Sequence, residues 1–435
     1  MRARGYTLVE LMIASLVSLL TIAAGVSLLV ASQGWFQSGS DDRQMQETAR
    51  VAMDEMMTNL RSAGYGMEPT FAFDFGILAN TAMDRIPAGD QARFGGYCGD
   101  SDPPCARDST AGSDEIVFYS RDLSFERDVV SVGADGNSLV VARPASGGAT
   151  TLLPGQVLQL MCYGSNNQWI WAYVTVASVD SSGANPAVAL SAGAGGQPFD
   201  FPYQNSLLTQ ACFNAGAASV KAFKIDRYHY FVEFVDDSGK VQPFETAGAR
   251  PYLMLDQGLR QDGKLIVAAV APDVEDLQLA YVFPLASGAQ VLGAPQNPGD
   301  PLTLLKASDQ QDDTGINLIP APPFVIPSFS AAPNDLDLAR TTHQPANIRA
   351  VKVALTVRSP RLDLAVQDDK VPAAFNRDQV DGEKGYRRMV FESTAYTRNM
   401  ETTLPVFPTY DPNYNKAGVA CCPVGGVCAG NCGGG

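Results

Sequence analysis

The sequence is short of the side chains that carry most catalysis. Only His229 and His343 are histidines in a chain of 435 residues. His229 lies in a strand-like run, Tyr228-His229-Tyr230, and His343 in a proline-rich stretch; neither falls within a nucleophile, metal or phosphate motif. The adjacent carboxylates Asp236/Asp237, Asp312/Asp313 and Asp368/Asp369 sit beside turn residues and read as solvated loops. No enzyme activity, cofactor or metal site is therefore predicted. Positive charge is also scarce: 31 Lys and Arg against 46 Asp and Glu leave a formal net charge of -15. Without a basic patch there is no general surface for a polyanion, so nucleic acid is not an expected partner. The sharpest absence is local, because from Leu11 to Ala31 there is no charge of either sign.

That uncharged run is 21 residues long, enough for one membrane-spanning helix across about 30 Å of hydrocarbon. Arg2 and Arg4 precede it, and Asp41 and Asp42 follow it. The positive-inside rule then places the bulk of the chain outside the cytoplasm. Glu10 stands at the mouth of the run, where a carboxylate is costly in lipid and normally has a partner and a task. A secretory signal peptide has a shorter apolar region of about 7 to 15 residues and a small-residue cleavage site. A plain membrane anchor explains the length but gives Glu10 nothing to do.

The stretch Gly5-Tyr6-Thr7-Leu8-Val9-Glu10-Leu11-Met12-Ile13-Ala14-Ser15 resembles the class III signal of type IV prepilins and pseudopilins. The resemblance implies a leader peptide at 1-5 and removal of it after Gly5 by prepilin peptidase on the cytoplasmic side. It also implies methylation of the new α-amine of Tyr6, which stands where most members carry Phe. Glu10 becomes the fifth residue after the cut, and in the family this glutamate pairs with the α-amine of a neighbouring subunit. The physical reading agrees: a fresh α-amine has an unperturbed pKa of roughly 7.7 to 8.0, and a buried unpaired charge is strongly unfavourable, so Tyr6 and Glu10 of neighbours would fix register.

Beyond the run, Met45, Ala49, Ala52, Met53, Met56, Leu60 and Ala63 recur at intervals of three and four, the mark of an amphipathic helix, before Gly64 and Gly66. One helix from about Thr7 to Ala63 is predicted, roughly 85 Å long. Its parts are a transmembrane or filament-core helix at 6-35 and an amphipathic continuation at 36-64. A β-rich extracytoplasmic head follows at 65-408. Strand-like runs include Glu115 to Ser120, Asp128 to Val132, Ser138 to Ala142, Val157 to Tyr163, Trp169 to Val179, Ile225 to Val235, Asn347 to Ser359 and Arg387 to Asn399. Glu47 to Tyr65 and the block Val270 to Tyr281 resemble the corresponding parts of large PilW-type minor pilins. The expected fold is α+β, type IV pilin-like: a long N-terminal helix packed on an antiparallel β-sheet head with insertions.

Pro284 to Pro345 is rich in Pro, Ala, Gly and Asp and reads as a loop insertion. The tail at 409-435 is rich in cysteine and glycine. An even count of cysteines outside the cytoplasm favours disulfides. The candidates are Cys98, Cys105, Cys162, Cys212, Cys421, Cys422, Cys428 and Cys432. Cys98 with Cys105 would close a small loop, and Cys162 with Cys212 is a natural bridge, although spacing alone does not fix the pairing. Adjacent Cys421 and Cys422 fit zinc spacing poorly. Asp411, Asn413 and Asn415 open like a calcium loop, but Lys416 takes the place of its glycine.

The resemblance implies a minor pilin of the type IV pilus, a structural subunit that primes assembly or sits at the tip and serves motility and cell adhesion. Its expected partners are prepilin peptidase, other minor and major pilins, the inner-membrane pilus assembly platform and the lipid bilayer. It would first be a single-pass protein of the bacterial inner membrane and then part of the pilus at the cell surface. A pseudopilin of a type II secretion system and a membrane-anchored extracytoplasmic binding protein are the alternatives.

Overall fold

The computed structural model describes residues 7–67, 69, 72–73, 113–143, 152–163, 169–191, 213, 220–239, 241–242, 248–262, 264–284, 302–304, 348–363, 366–375 and 379–401. Helix α1, Leu8–Arg61, runs unbroken for 54 residues, passing through Gly25 and Gly39 without interruption. Thr7 starts it as N-cap, and the helix stops where Gly64 and Gly66 turn the chain with φ of 74° and 67°. A side chain on Gly64 would meet the Met400 sulfur at 2.5 Å, so both the turn and the packing require glycine there.

The two ends of α1 differ in surroundings. Leu8–Leu29, 22 residues, is long and apolar enough to cross a membrane, and none of it is buried within the chain. Met45, Ala49, Ala52, Met56 and Leu60, by contrast, are each at most 1% exposed. They pack on a sheet of four antiparallel strands in the order β11-β10-β12-β15, where β10 is Val274–Pro284, β11 Leu302–Leu304, β12 Ala350–Arg358 and β15 Arg388–Tyr396. Alternate residues Val351, Val353, Leu355 and Val357 of β12 give that sheet its apolar face. Strand β15 runs beside the helix: Arg387 donates to the Ser38 hydroxyl at one end, and Asn399 donates to the Arg61 carbonyl (3.3 Å) at the other.

The rest of the head is a second sheet. Strands β1 (Ile116–Val132), β2 (Ser138–Val141), β5 (Ala187–Leu190), β4 (Trp169–Asp180), β3 (Val157–Tyr163) and β6 (Val220–Val235) pair in that order, and β6 pairs back to β1. The strands therefore close into an antiparallel barrel. Its interior is filled: Leu158, Leu160 and Cys162 of β3 meet Ala172, Val174 and Val176 of β4, with Val220 and Ala222 of β6 and Phe125 and Val129 of β1 completing one buried cluster. Beyond β6 the sheet continues through β8 (Arg250–Gln261) and β9 (Lys264–Pro272) to the helix, and the short β7 (Val241–Gln242) pairs with the end of β6.

A single residue carries the chain from one sheet to the other. Asp273, between β9 and β10, has φ of 62°, and the Arg250 guanidinium grips its carboxylate at 2.9 and 2.8 Å. Such a backbone conformation is disfavoured for a residue with a side chain, and the bidentate pair offsets that cost. The small hairpin of β13 (Lys370–Val371) and β14 (Val380–Asp381) and a short helix α2 (Arg398–Glu401) complete the described elements.

Two expectations need amending. The separate strands foreseen at Glu115 to Ser120 and Asp128 to Val132 are one strand, β1, irregular between Arg121 and Glu126. The insertion at 284-345 contains β11, paired with β10. These are cases of pairing across the sheet overriding weak local propensity.

Candidate assembly surface and the sites around it

Thr7, Leu8, Val9 and Glu10 form a capping box. The Thr7 hydroxyl accepts from the Glu10 amide at 3.3 Å, while Glu10 Oε2 accepts from the Thr7 amide at 2.9 Å and the Thr7 hydroxyl at 3.0 Å. These bonds close two of the donors that a helix start leaves open. Both carboxylate contacts fall on Oε2, so Oε1 has no donor among the described residues. The motif Thr-x-x-Glu was legible in the sequence, but sequence reasoning gave Glu10 only an intermolecular role. Gly5 and Tyr6, the predicted processing residues, lie outside the described residues.

Next to the cap, the helix presents Leu8, Val9, Leu11, Met12, Ile13, Leu16, Val17 and further large apolar side chains at 52 to 75% exposure. There are 13 such residues between Leu8 and Leu29. At about 1.5 to 3 kcal/mol each, on the order of 20 to 40 kcal/mol favours removing this face from water, far more than the net stability of an ordinary domain. The surface is therefore built to be covered by lipid or by other helices. Ser15, Thr21 and Ser27 do not spoil this, because each hydroxyl donates to a carbonyl of the preceding turn at 2.8 to 3.0 Å.

His229, which falls in no sequence motif, is 5% exposed and lies between two carboxylates. Its Nε2 lies 2.8 Å from Glu115 Oε2, and its Nδ1 lies 3.5 Å from Asp256 Oδ2. Burial by itself would push the imidazole down, but the Glu115 and Asp256 carboxylates outweigh that and hold it above its ordinary value. An imidazolium flanked in this way is a poor general base, since each nitrogen already carries a proton. His343 lies outside the described residues. Among the described residues no three His, Cys, Asp or Glu side chains group to hold a metal ion.

Cys162 is disulfide-bonded and sits on the barrel interior beside Phe213, itself 2% exposed. Cys98, Cys105, Cys212, Cys421, Cys422, Cys428 and Cys432 lie outside the described residues, as do Asp411, Asn413 and Asn415. At the end of the four-stranded sheet nearest Ser38, Arg388 binds Glu275 at 2.6 and 2.9 Å, and Arg358 binds Glu383 at 3.1 Å while donating to the Ala249 carbonyl at 2.8 Å. Sequence reasoning missed this network because its members are far apart in the chain. No family model, curated protein or solved structure matches the chain. The chain is α+β, with an N-terminal helix long and apolar enough to span a membrane and a largely antiparallel β-rich body.

Proposed function

We propose that the chain is a type IV pilin-like subunit, a minor pilin that primes or caps a pilus, assembled through the exposed half of α1. The observation that carries this reading is the capped, unbroken apolar helix with Glu10 at its head and a β-rich body gripping its other half. Glu10 serves twice: Oε2 closes the start of its own helix, and Oε1 receives the methylated α-amine that Tyr6 gains when the peptidase cuts after Gly5. In lipid the neighbour's amine is the natural counter-charge, and mispairing leaves both charges alone. A bulky head with a barrel is hard to repeat at every position of a tight shaft, which favours a tip or priming position.

Paired variants test this. Glu10→Ala loses the cap and the counter-charge, whereas Thr7→Ala loses the hydroxyl of the cap and keeps the carboxylate. Both proteins are expected to remain membrane-inserted; Glu10→Ala should disappear from sheared pili, and Thr7→Ala should be retained at reduced level. Equal incorporation of Glu10→Ala and wild type would remove the assembly role. The pseudopilin reading is separated by deletion, which would block export of folded enzymes and leave surface pili and twitching intact.

A further inference from the structure

We propose that Glu115, His229, Asp256 and Arg227 form a pH-sensitive latch, which when His229 is protonated holds the barrel against the part of the head that grips the helix. The contact that it controls is a meeting of two backbones. Strand β8 bulges between Asp256 and Arg260, with Gly258 at φ of 71°. Facing it is the turn before β3, with Gly155 at φ of 88°, where a Cβ would stand 1.9 Å from the Gly258 carbonyl oxygen. The Arg260 amide donates to the Pro154 carbonyl at 2.9 Å, tying bulge to turn. No side chain fits between these segments, so their spacing depends on the conformation of the bulge.

Asp256 sets that conformation. Its Oδ1 accepts from the Gly258 amide at 2.5 Å, while its Oδ2 is shared by Arg227 Nη2 at 3.4 Å and His229 Nδ1 at 3.5 Å. His229 is the cross-strand partner of Asp256, and Glu115 reaches its other nitrogen from the segment leading into β1. Among the described residues, the charged groups acting on the ring are Glu115 from the approach to β1, Arg227 from β6 and Asp256 from β8. The Phe231 ring, with its centroid 4.8 Å away, adds no charge, and the turn 152–156 contains no titratable side chain.

With His229 protonated the quartet is neutral: two carboxylates, one guanidinium and one imidazolium. Removal of the proton takes away one of the positive charges beside Asp256, which is 2% exposed. The folded imidazole is held above its ordinary value of 6.5, so its stabilisation is complete below about 6.5 and fades as pH rises through the folded value. Asp256 runs the other way: burial opposes its charge, yet Arg227 and His229 hold it below its ordinary value, so its stabilisation is lost only in strong acid. The latch is closed below about pH 6.5 and slackens as pH rises through the folded value of His229.

The chain has only two histidines, which makes the test clean. Urea unfolding of the full chain in detergent micelles is compared at about pH 6 and about pH 9. The wild-type midpoint should fall at the higher pH, His343→Gln should keep that fall, and His229→Gln should abolish it. Glu115→Gln, which alters the partly exposed member, should move the fall to lower pH. Deuterium uptake across 152–156 and 257–260, corrected for intrinsic exchange, should rise with pH ahead of the strands β10 and β12. An unchanged pH dependence in His229→Gln or Glu115→Gln overturns the proposal, as does uptake that rises evenly over both parts of the head.

Discussion

The two halves of α1 share one backbone and meet opposite surroundings. Around Met45 to Leu60 the apolar side chains occupy one stripe and the other face is polar, so a water-soluble β body can cover the stripe and leave the rest wet. From Leu11 to Leu29 the apolar residues go all round, and none of that span is buried against the described body. The contrast marks how much of the helix the described body covers by itself. The described body packs on the C-terminal half of the helix, while the N-terminal half presents an apolar surface that this body leaves uncovered.

Several variants would break or sharpen that contrast. The largest effect is expected at Glu275, whose carboxylate is 2% exposed and gripped by Arg388: Glu275→Ala strands a buried guanidinium and should cost about 3 to 5 kcal/mol in urea unfolding. A direct comparison of the two halves comes next. Leu60→Ala, at a fully buried position, should cost about 2 to 5 kcal/mol, whereas Leu19→Ala, 70% exposed, should change head stability by less than about 0.5 kcal/mol. Equal effects would mean that the halves are not independent. Removing the disulfide with Cys162→Ser should cost about 2 to 4 kcal/mol, and non-reducing peptide mapping is expected to join Cys162 to Cys212, the neighbour of Phe213 in the barrel core. The smallest effect belongs to Lys221, which is 40% exposed and paired with Glu126 and Asp128; Lys221→Ala should shift stability by less than about 0.5 kcal/mol.

Much of this was legible along the chain where the signal is local. The spacing of Met45, Ala49, Ala52, Met56 and Leu60 located the helix face, and Gly64 marked its end. β-branched and aromatic content bounded by turn residues located the strand at Val157–Tyr163. Closure of the barrel was not legible, because it depends on Ile116 meeting Tyr230 across a long loop of sequence, and strand periodicity says which face is buried without saying which partner lies alongside. For the same reason His229 looked unremarkable: its carboxylates come from β8 and from the approach to β1. At Glu10 the fault was different, since Thr7 three residues earlier already offered a local partner.

The central claim is that the exposed half of α1 is a processed assembly helix, and the most direct measurement is intact mass with N-terminal analysis of the protein recovered from cells. The account predicts a chain that begins at Tyr6 with a methylated α-amine and retains the whole apolar helix. A chain that begins at Met1, or one cut beyond Ala31, would contradict it and leave Glu10 with no role beyond capping its own helix.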